Sequence, residues 1–348
     1  MKTGPYLPLG RSQTASSNGG PMSIDLDSVM REQLIMRRER VADAISTNGA
    51  DPQLASLLQE VDAALERFES GTYGICEVCH DTVEADRLIA NPLERFCLDH
   101  LNAKERDALE ADLNLASQIQ RGLLPEHNLR ARGWHFDYGY EPAGPVSGDY
   151  VDITQAENAD IYFALGDVSG KGVAASLLMT KLHAVFRGLI PLGLQVDQLV
   201  ERASRLFGES MLPGQYATLV CGRASKNGEV SVCNAGHPPA LLCRGGEIQP
   251  ISSTGFPLGM FPFEKFSVEN VKLESGDTLL LYTDGIPDAV NKNGEEYGMS
   301  RLVDIASRHR SSTPDKLVAS CLADVTTFRQ GTARFDDITM LGIRRQSV

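Results

Sequence analysis

Apolar residues fall into two regimes along this chain. From Ile24 to about Ser70 they recur at three- and four-residue steps, with Leu54, Leu57, Leu58, Val61, Ala64, Leu65 and Phe68 on one helical face that stops at Gly71. The segment Asn48-Gly49-Ala50-Asp51-Pro52 interrupts the run and predicts a hairpin of two helices. A further helix, residues 101–124, sets Leu109, Leu113, Ala116, Ile119 or Gln120, and Leu123 along one side, and Pro125 ends it. From Trp134 onward the pattern changes to short β-branched and aromatic runs bounded by turn residues. They predict strands at 134–141, 148–154, 161–166, 217–224, 229–233, 240–243, 266–272, 278–283 and 338–344. Two helices, 173–190 and 196–211, fall between the third and fourth strands, and two more, 300–308 and 314–328, precede the last. Strands joined by short turns, with helices inserted in pairs and no parallel βαβ repeat, indicate an α+β protein of stacked sheet and helix layers.

The apolar strand 161–166 ends abruptly at Gly166-Asp167, and a glycine-rich turn leads into the helix from Val173. A carboxylate is thereby placed at the carboxyl end of a buried strand, among small residues that permit close approach. The turn is not a nucleotide-binding P-loop. That motif needs G-x-x-x-x-G-K followed by Ser or Thr, whereas Gly166 is only four positions before Gly170 and Lys171 precedes Gly172. It reads as a metal loop. Three more acidic loci stand where a strand meets glycine or another acid: Ser147-Gly148-Asp149, Thr283-Asp284-Gly285 and Asp336-Asp337-Ile338-Thr339. Each alone is an ordinary turn former. Four that converge need a cation to offset their repulsion, and an all-oxygen set selects magnesium or manganese. Two ions sharing a carboxylate would activate a water between them and clamp a phosphoryl oxygen.

Between the helical hairpin and the 101–124 helix, Cys76 and Cys79 form a C-x₂-C pair, and Cys97 with His100 repeats the spacing after seventeen residues. Three thiolates and an imidazole complete a tetrahedral zinc site with every position filled by protein, hence a structural one. His80 is an alternative to Cys79 by adjacency, but the paired spacing favours Cys76, Cys79, Cys97 and His100.

The totals narrow the partners. With 348 residues the chain is long enough for two domains, and 42% hydrophobic with 23% charged residues describes an ordinary globular protein. A net charge of −13 without a Lys/Arg block argues against direct nucleic-acid binding. Residues 1–23 are rich in Gly, Ser, Thr and Pro and are expected to form a disordered tail. They lack a signal-peptide core, and no run approaches 18 apolar residues; a cytoplasmic protein without a membrane span is expected. Seven cysteines agree with a reducing compartment, and Cys221, Cys233, Cys243 and Cys321 read as buried apolar residues.

Two family resemblances follow from these motifs. The stretch ALERFESGTYGICEVC with RLIANPLERFC, within roughly 50–105, resembles the DksA/TraR-type zinc finger, with histidine at 100 where that family usually has cysteine. Members of that family bind RNA polymerase, so a polymerase-binding regulator with an appended catalytic domain is the alternative reading. The series LASQIQRGLLP, EPAGPVSGDYVDI, FALGDVSGKGVAASLLMTKLHAVFR, NAGHPPALL, GDTLLLYTDGIPDAVN and FDDITMLGI, over about 115–345, resembles the SpoIIE/RsbU branch of the protein phosphatase 2C-like (PPM) serine/threonine phosphatases. That resemblance implies an αββα sandwich with a binuclear Mn²⁺ or Mg²⁺ site. It assigns Asp167 as bridging ligand beside the carbonyl of Val168, with Asp149, Asp284 and Asp336 as the other acidic ligands. Asp152 and Asp337 are left as ligand-orienting or turn residues, Lys171 as a phosphate sensor or a solvated lysine, and His237 as a structural hydrogen-bonding group rather than an acid. The implied reaction is direct attack of a metal-bridging water on phosphoserine or phosphothreonine. The implied substrate is a STAS-domain anti-anti-sigma factor. The domain plan is a tail (1–23), a hairpin with zinc finger (24–105), a linker or switch helix that could pair as a homodimeric coiled coil (106–126) and the phosphatase domain (127–348).

Overall fold

The computed structural model describes residues 26–48, 51–100, 103–156, 160–209, 211, 214–261, 264–332 and 334–347. The expected tail, 1–23, lies outside them. The chain divides into two compact units, Met1–Ala108 and Leu109–Val348.

In the first unit, α1 (Leu26–Asn48) and α2 (Pro52–Glu69) form the expected hairpin. Asp51 opens α2 by accepting from the backbone N–H of Gln53 at 2.9 Å, and Pro52 occupies the first turn, where its missing N–H costs nothing. Leu34, Val61 and Ala64 are fully buried between the helices. Phe68 stacks on Tyr73, whose hydroxyl donates to the carbonyl of Pro92, tying the hairpin to the cysteine-bearing segment around α3 (Ala85–Ala90). Helix α4 (Ala103–Arg121) runs across the division between the units.

The second unit is built on two antiparallel sheets. The strands are β1 (Leu129–Ala131), β2 (Trp134–Glu141), β3 (Asp149–Gln155), β4 (Ile161–Val168), β5 (Ala217–Ala224), β6 (Glu229–Ala235), β7 (Ala240–Arg244), β8 (Glu247–Ile251), β9 (Glu269–Lys272), β10 (Thr278–Tyr282) and β11 (Ile338–Arg345). One sheet has the order β1-β2-β11-β10-β7-β8 and the other β3-β4-β5-β6-β9. Helices α5 (Gly172–Leu189) and α6 (Val196–Gly208) cover the five-stranded sheet; α7 (Gly298–His309) and α8 (Pro314–Phe328) cover the six-stranded one. The layers are therefore helix, sheet, sheet, helix, the expected αββα sandwich.

Side chains alternate across each strand, and in the central strands β3, β4, β5, β7, β10 and β11 both faces are buried, so these read as continuous apolar runs. On β4, Phe163 and Leu165 point into the core between the sheets, whereas Tyr162 and Ala164 point at α5 and α6. The same phase puts Val151 and Ile153 of β3, Leu279 and Leu281 of β10, and Leu341 and Ile343 of β11 in the inter-sheet core.

Three differences from the sequence pattern have local causes. Strands β1 and β8 are edge strands with little buried surface, so they carry no alternation to detect. Helix α4 stops at Arg121 rather than running to Pro125, because Gly122 is a poor helix residue and Leu124, ahead of proline, is pushed out of the α region. Leu124 then packs against the inter-sheet core. On α4 itself the buried residue is Gln120, while Leu109 and Ile119 are exposed. Residues Gly172–Leu192 are long and apolar enough to cross a membrane by length and composition. Met179, Leu182 and Phe186 of this stretch are instead buried against the five-stranded sheet, as in a core helix.

Candidate metal centres

The acidic site grows out of strand periodicity. Asp149 and Asp167 continue the inward phase of Val151 and Leu165, and they are cross-strand partners at the ends of β3 and β4. Asp284 follows β10, and Asp336 precedes β11, the strand paired with it. Gly285 shows how tightly these two segments meet: a Cβ there would lie 1.9 Å from the carbonyl oxygen of Asp337 and 3.5 Å from the Cβ of Asp336. A Cβ on Gly148 would lie 3.1 Å from the carbonyl oxygen of Val168 and 3.5 Å from Oδ1 of Asp167. Gly285 is therefore required by close approach and Gly148 is tightly placed; the first brings the 284 and 336 loci together, the second the 149 and 167 loci and the Val168 carbonyl, and the charges of Asp284 and Asp336 reach Asp167.

Like charges gathered at the edge of a core perturb one another. Burial, then the charge of Asp167, drives the Asp149 carboxyl well above its ordinary range. Burial, then Asp284, Asp336 and Asp337, pushes Asp167 up to about 7. Asp284 is also raised, by desolvation and then by Asp336 and Asp288. A set of carboxylates that resist ionising together is the donor chemistry a hard divalent cation offsets, so the residues fit magnesium or manganese. Exposure grades outward, from Asp149 at 1% through the half-buried Asp167 to the exposed Asp284 and Asp336.

The remaining expected residues are placed as follows. Asp337 accepts from the backbone N–H groups of Ala143 (2.7 Å) and Gly148 (2.9 Å), pinning the loop that carries Asp149. Asp152 lies on the opposite face of β3, toward α5, where Arg187 donates to it from Nε at 2.8 Å and from a terminal nitrogen at 2.6 Å. Lys171 sits 3.2 Å from Oδ2 of Asp336, with both side chains half exposed or more. His237 is buried and uses both ring nitrogens: Nε2 lies 3.0 Å from the carbonyl of Tyr282, which can only accept, so Nδ1 accepts from the Thr218 hydroxyl at 2.8 Å. Burial drives its pKa down to about 3. Cys221, Cys233, Cys243 and Cys321 are buried, as expected.

Sequence reasoning passed over three groups that touch this site. Thr283 and Thr339 both donate to Asp149, and Ser147 accepts from the Asp149 N–H at 3.0 Å. Gln120 makes a reciprocal pair with Ser147, donating to its carbonyl at 2.7 Å and accepting from its N–H at 3.0 Å. The two threonines extend the inward phase of Leu281 and Leu341 by one step, and Gln120 is the polar alternative to Ile119 on the helical face.

In the first unit, the turn around Cys76 and Cys79 is closed by Cys76 N–H to Asp81 carbonyl (2.8 Å) and Val83 N–H to Gly74 carbonyl (2.7 Å). A single helical turn sets His100 beside Cys97. Among the described residues, Cys76, Cys79, Cys97 and His100 have ligand atoms all within 4.8 Å of one another. The sulfurs of Cys79 and Cys97 are 3.7 Å apart, and the edge of a tetrahedron with Zn–S of about 2.3 Å is about 3.8 Å. Against the burial that raises it, N–H groups of Cys79, Cys97 and Val78 bring Cys76 down to about 6, toward the thiolate a metal needs. His80 is exposed, in a left-handed conformation (φ 62°), and stands outside the group.

Comparison with known proteins places both halves. Residues 157–346 match the family model for stage II sporulation protein E (SpoIIE), and residues 71–99 match that for the prokaryotic DksA/TraR C4-type zinc finger. Protein IcfG of Synechocystis sp. is 27% identical over 263 residues, 67% of this chain and 41% of that protein. Phosphoserine phosphatase RsbU of Bacillus subtilis is 22% identical over 243 residues, 68% of this chain and 71% of RsbU. The crystal structure of the RsbU and RsbW domains of Rv1364c from Mycobacterium tuberculosis superposes with a TM-score of 0.56 at 27% identity, covering 64% of this chain and 63% of that one. This chain thus spans less than half of IcfG and under two thirds of the mycobacterial chain.

Proposed function

Since the chain belongs to the SpoIIE family, within the PPM-type serine/threonine phosphatases, we propose that it is a metal-dependent protein phosphatase acting on phosphoserine or phosphothreonine. The observation that supports this is that Asp149, Asp167, Asp284 and Asp336 stand toward one end of the inter-sheet core, where burial and neighbouring charge raise the carboxyls of Asp149, Asp167 and Asp284. Asp167 and the Val168 carbonyl would hold two Mn²⁺ or Mg²⁺ ions in common with Asp149, Asp284 and Asp336. When bound, such ions activate water and neutralise phosphoryl oxygens. The chain's own part is to fix donor positions: Asp337 pins the 143–148 loop, the glycines admit close approach, and the apolar layer beneath excludes water. Release of phosphate from a phosphoserine protein with manganese, abolished by Asp167→Asn, is the expected result; turnover that survives Asp167→Asn rejects the proposal.

The name of RsbU, a phosphoserine phosphatase, supports a phosphoprotein substrate, and we take the substrate to be a STAS-domain anti-anti-sigma factor in a cytoplasmic partner-switching pathway. Cys76, Cys79, Cys97 and His100 would hold one structural zinc, making the first unit a regulatory input. The exposed Leu109 and Ile119 on α4 support pairing of two copies as a homodimer; sedimentation of a Leu109→Glu variant tests it, with an unchanged mass opposing it. The zinc-finger match at 71–99 favours a second reading, an RNA polymerase-binding regulator. Failure of the full chain to retain purified polymerase rejects that one.

A further inference from the structure

We propose that Thr283 and Thr339 are positioning residues that saturate one oxygen of Asp149 and so commit its other oxygen to a metal; this rests on the phosphatase reading above. Asp149 is all but fully buried and belongs to the five-stranded sheet, whereas Thr339 lies in β11 of the six-stranded sheet and Thr283 directly follows β10 of the same sheet. Their hydroxyls reach the same atom, Oδ2 of Asp149, at 3.1 Å from Thr283 and 2.5 Å from Thr339.

The Thr283 hydroxyl has two acceptors in reach, Oδ2 of Asp149 at 3.1 Å and the carbonyl of Thr339 at 3.4 Å, and the carboxylate is the nearer. The regular ladder between β10 and β11 ends at Tyr282 and Met340. Beyond it, the N–H of Thr283 still donates to the carbonyl of Thr339, but the N–H of Thr339 donates to the Thr283 hydroxyl at 3.0 Å. That hydroxyl accepts one bond from Thr339, and its proton goes to the nearer of its two acceptors, Asp149. Valine would satisfy the inward phase set by Leu281 and Leu341 without burying a polar group. Threonine at both positions has a chemical reason, the Asp149 carboxylate that both hydroxyls reach. With two donors on Oδ2, Oδ1 is the oxygen left to act toward Asp167, the cross-strand neighbour.

The test is manganese binding itself, by titration calorimetry and by the loss of the free-ion paramagnetic resonance signal, on the full chain. Thr339→Val and Thr283→Val should each weaken binding about 10- to 100-fold, and Thr339→Ser, which keeps the hydroxyl, should restore most of it. Circular dichroism identifies a variant that has not folded, and Thr283→Val, which loses the longer bond, then stands in for Thr339→Val. A merely structural role would lower melting temperature in the absence of metal yet leave manganese affinity at the wild-type value, and that result overturns the proposal. Wild-type protein that binds no manganese overturns the metal reading and this one together. Wild-type binding sensitive to Asp167→Asn but indifferent to both valines overturns this one alone.

Discussion

The pair Arg187 and Asp152 offers a quantitative test of how α5 is anchored. Asp152 is 3% exposed in its side chain, and besides Arg187 it accepts from the hydroxyls of Tyr150 (3.2 Å) and Thr154 (3.4 Å). Arg187, in the last turn of α5, keeps 41% of its side chain in solvent. Removing one partner of a buried ion pair costs about 3–5 kcal/mol when the charge left behind is buried. The two deletions are therefore unequal. Arg187→Met strands the Asp152 carboxylate, and the lower end of that range, about 3 kcal/mol, applies because the pair is open on the arginine side. Asp152→Asn strands a guanidinium that can turn into water, and keeps an acceptor for Tyr150, so about 1 kcal/mol is expected. The double variant should be more stable than Arg187→Met alone, because the stranded charge has gone. For a unit of this size each kcal/mol moves the melting temperature by about 2–4 °C, so Arg187→Met should melt about 6–12 °C lower. Calorimetry on the transition that manganese shifts provides the measurement. A double variant as unstable as Arg187→Met, or an Arg187→Met variant within 0.5 °C of wild type (about 0.2 kcal/mol), would show that the pair does not hold the helix.

Other expectations follow from the same geometry. His237, neutral in the fold with its pKa near 3, should lend stability that is complete above about pH 6.5 and is lost as pH falls toward 3, because the unfolded chain takes up a proton that the fold refuses. The wild-type stability curve should therefore be steeper between pH 4 and 6.5 than that of His237→Gln, by at most about 1.4 kcal/mol per pH unit; parallel curves in urea unfolding would refute this. Gln120→Ala leaves both the N–H and the carbonyl of Ser147 without their buried partner, at about 1–3 kcal/mol each, and amide exchange at Ser147 and Asp149 should accelerate; unchanged exchange rates count against it. Cys97→Ser should lower zinc content, measured by plasma mass spectrometry, and open the amides of 74–83 to exchange. Equal zinc in variant and wild type would dismiss the four-ligand assignment.

Much of the second unit was legible because its central strands are buried on both faces and several acidic residues stand at strand ends. The run 161–165 could be read as a strand without knowing its neighbours, and the acidic loci advertised themselves by lying at strand ends. What the pattern could not supply was phase relative to the second sheet. Asp149 and Asp152 stand in one short motif, yet they face opposite layers, one toward the carboxylate basin and the other toward Arg187. Parity along β3, counted from Val151 and Ile153, separates them, but only once it is known which face meets the other sheet. On α4 the helical pattern left Ile119 or Gln120 open along with Leu109, and the fold buries Gln120, an amide that takes the place of a strand neighbour of Ser147, and exposes the other two. The edge strands β1 and β8 escaped for want of buried surface.

The placement of β11 bears on how the protein comes into being at the ribosome. Although it is the last strand in order, it is wedged between β2 and β10, two strands translated well before it. Until it emerges, β2 presents an unpaired edge, and the six-stranded sheet exists only as two fragments. Thr339 arrives with that same strand, so Asp149 lacks one of its two hydroxyl donors until residue 339 has been made. Strand order thus makes the surroundings of Asp149 one of the last parts of this unit to be completed during synthesis, with the β2 edge unpaired until then.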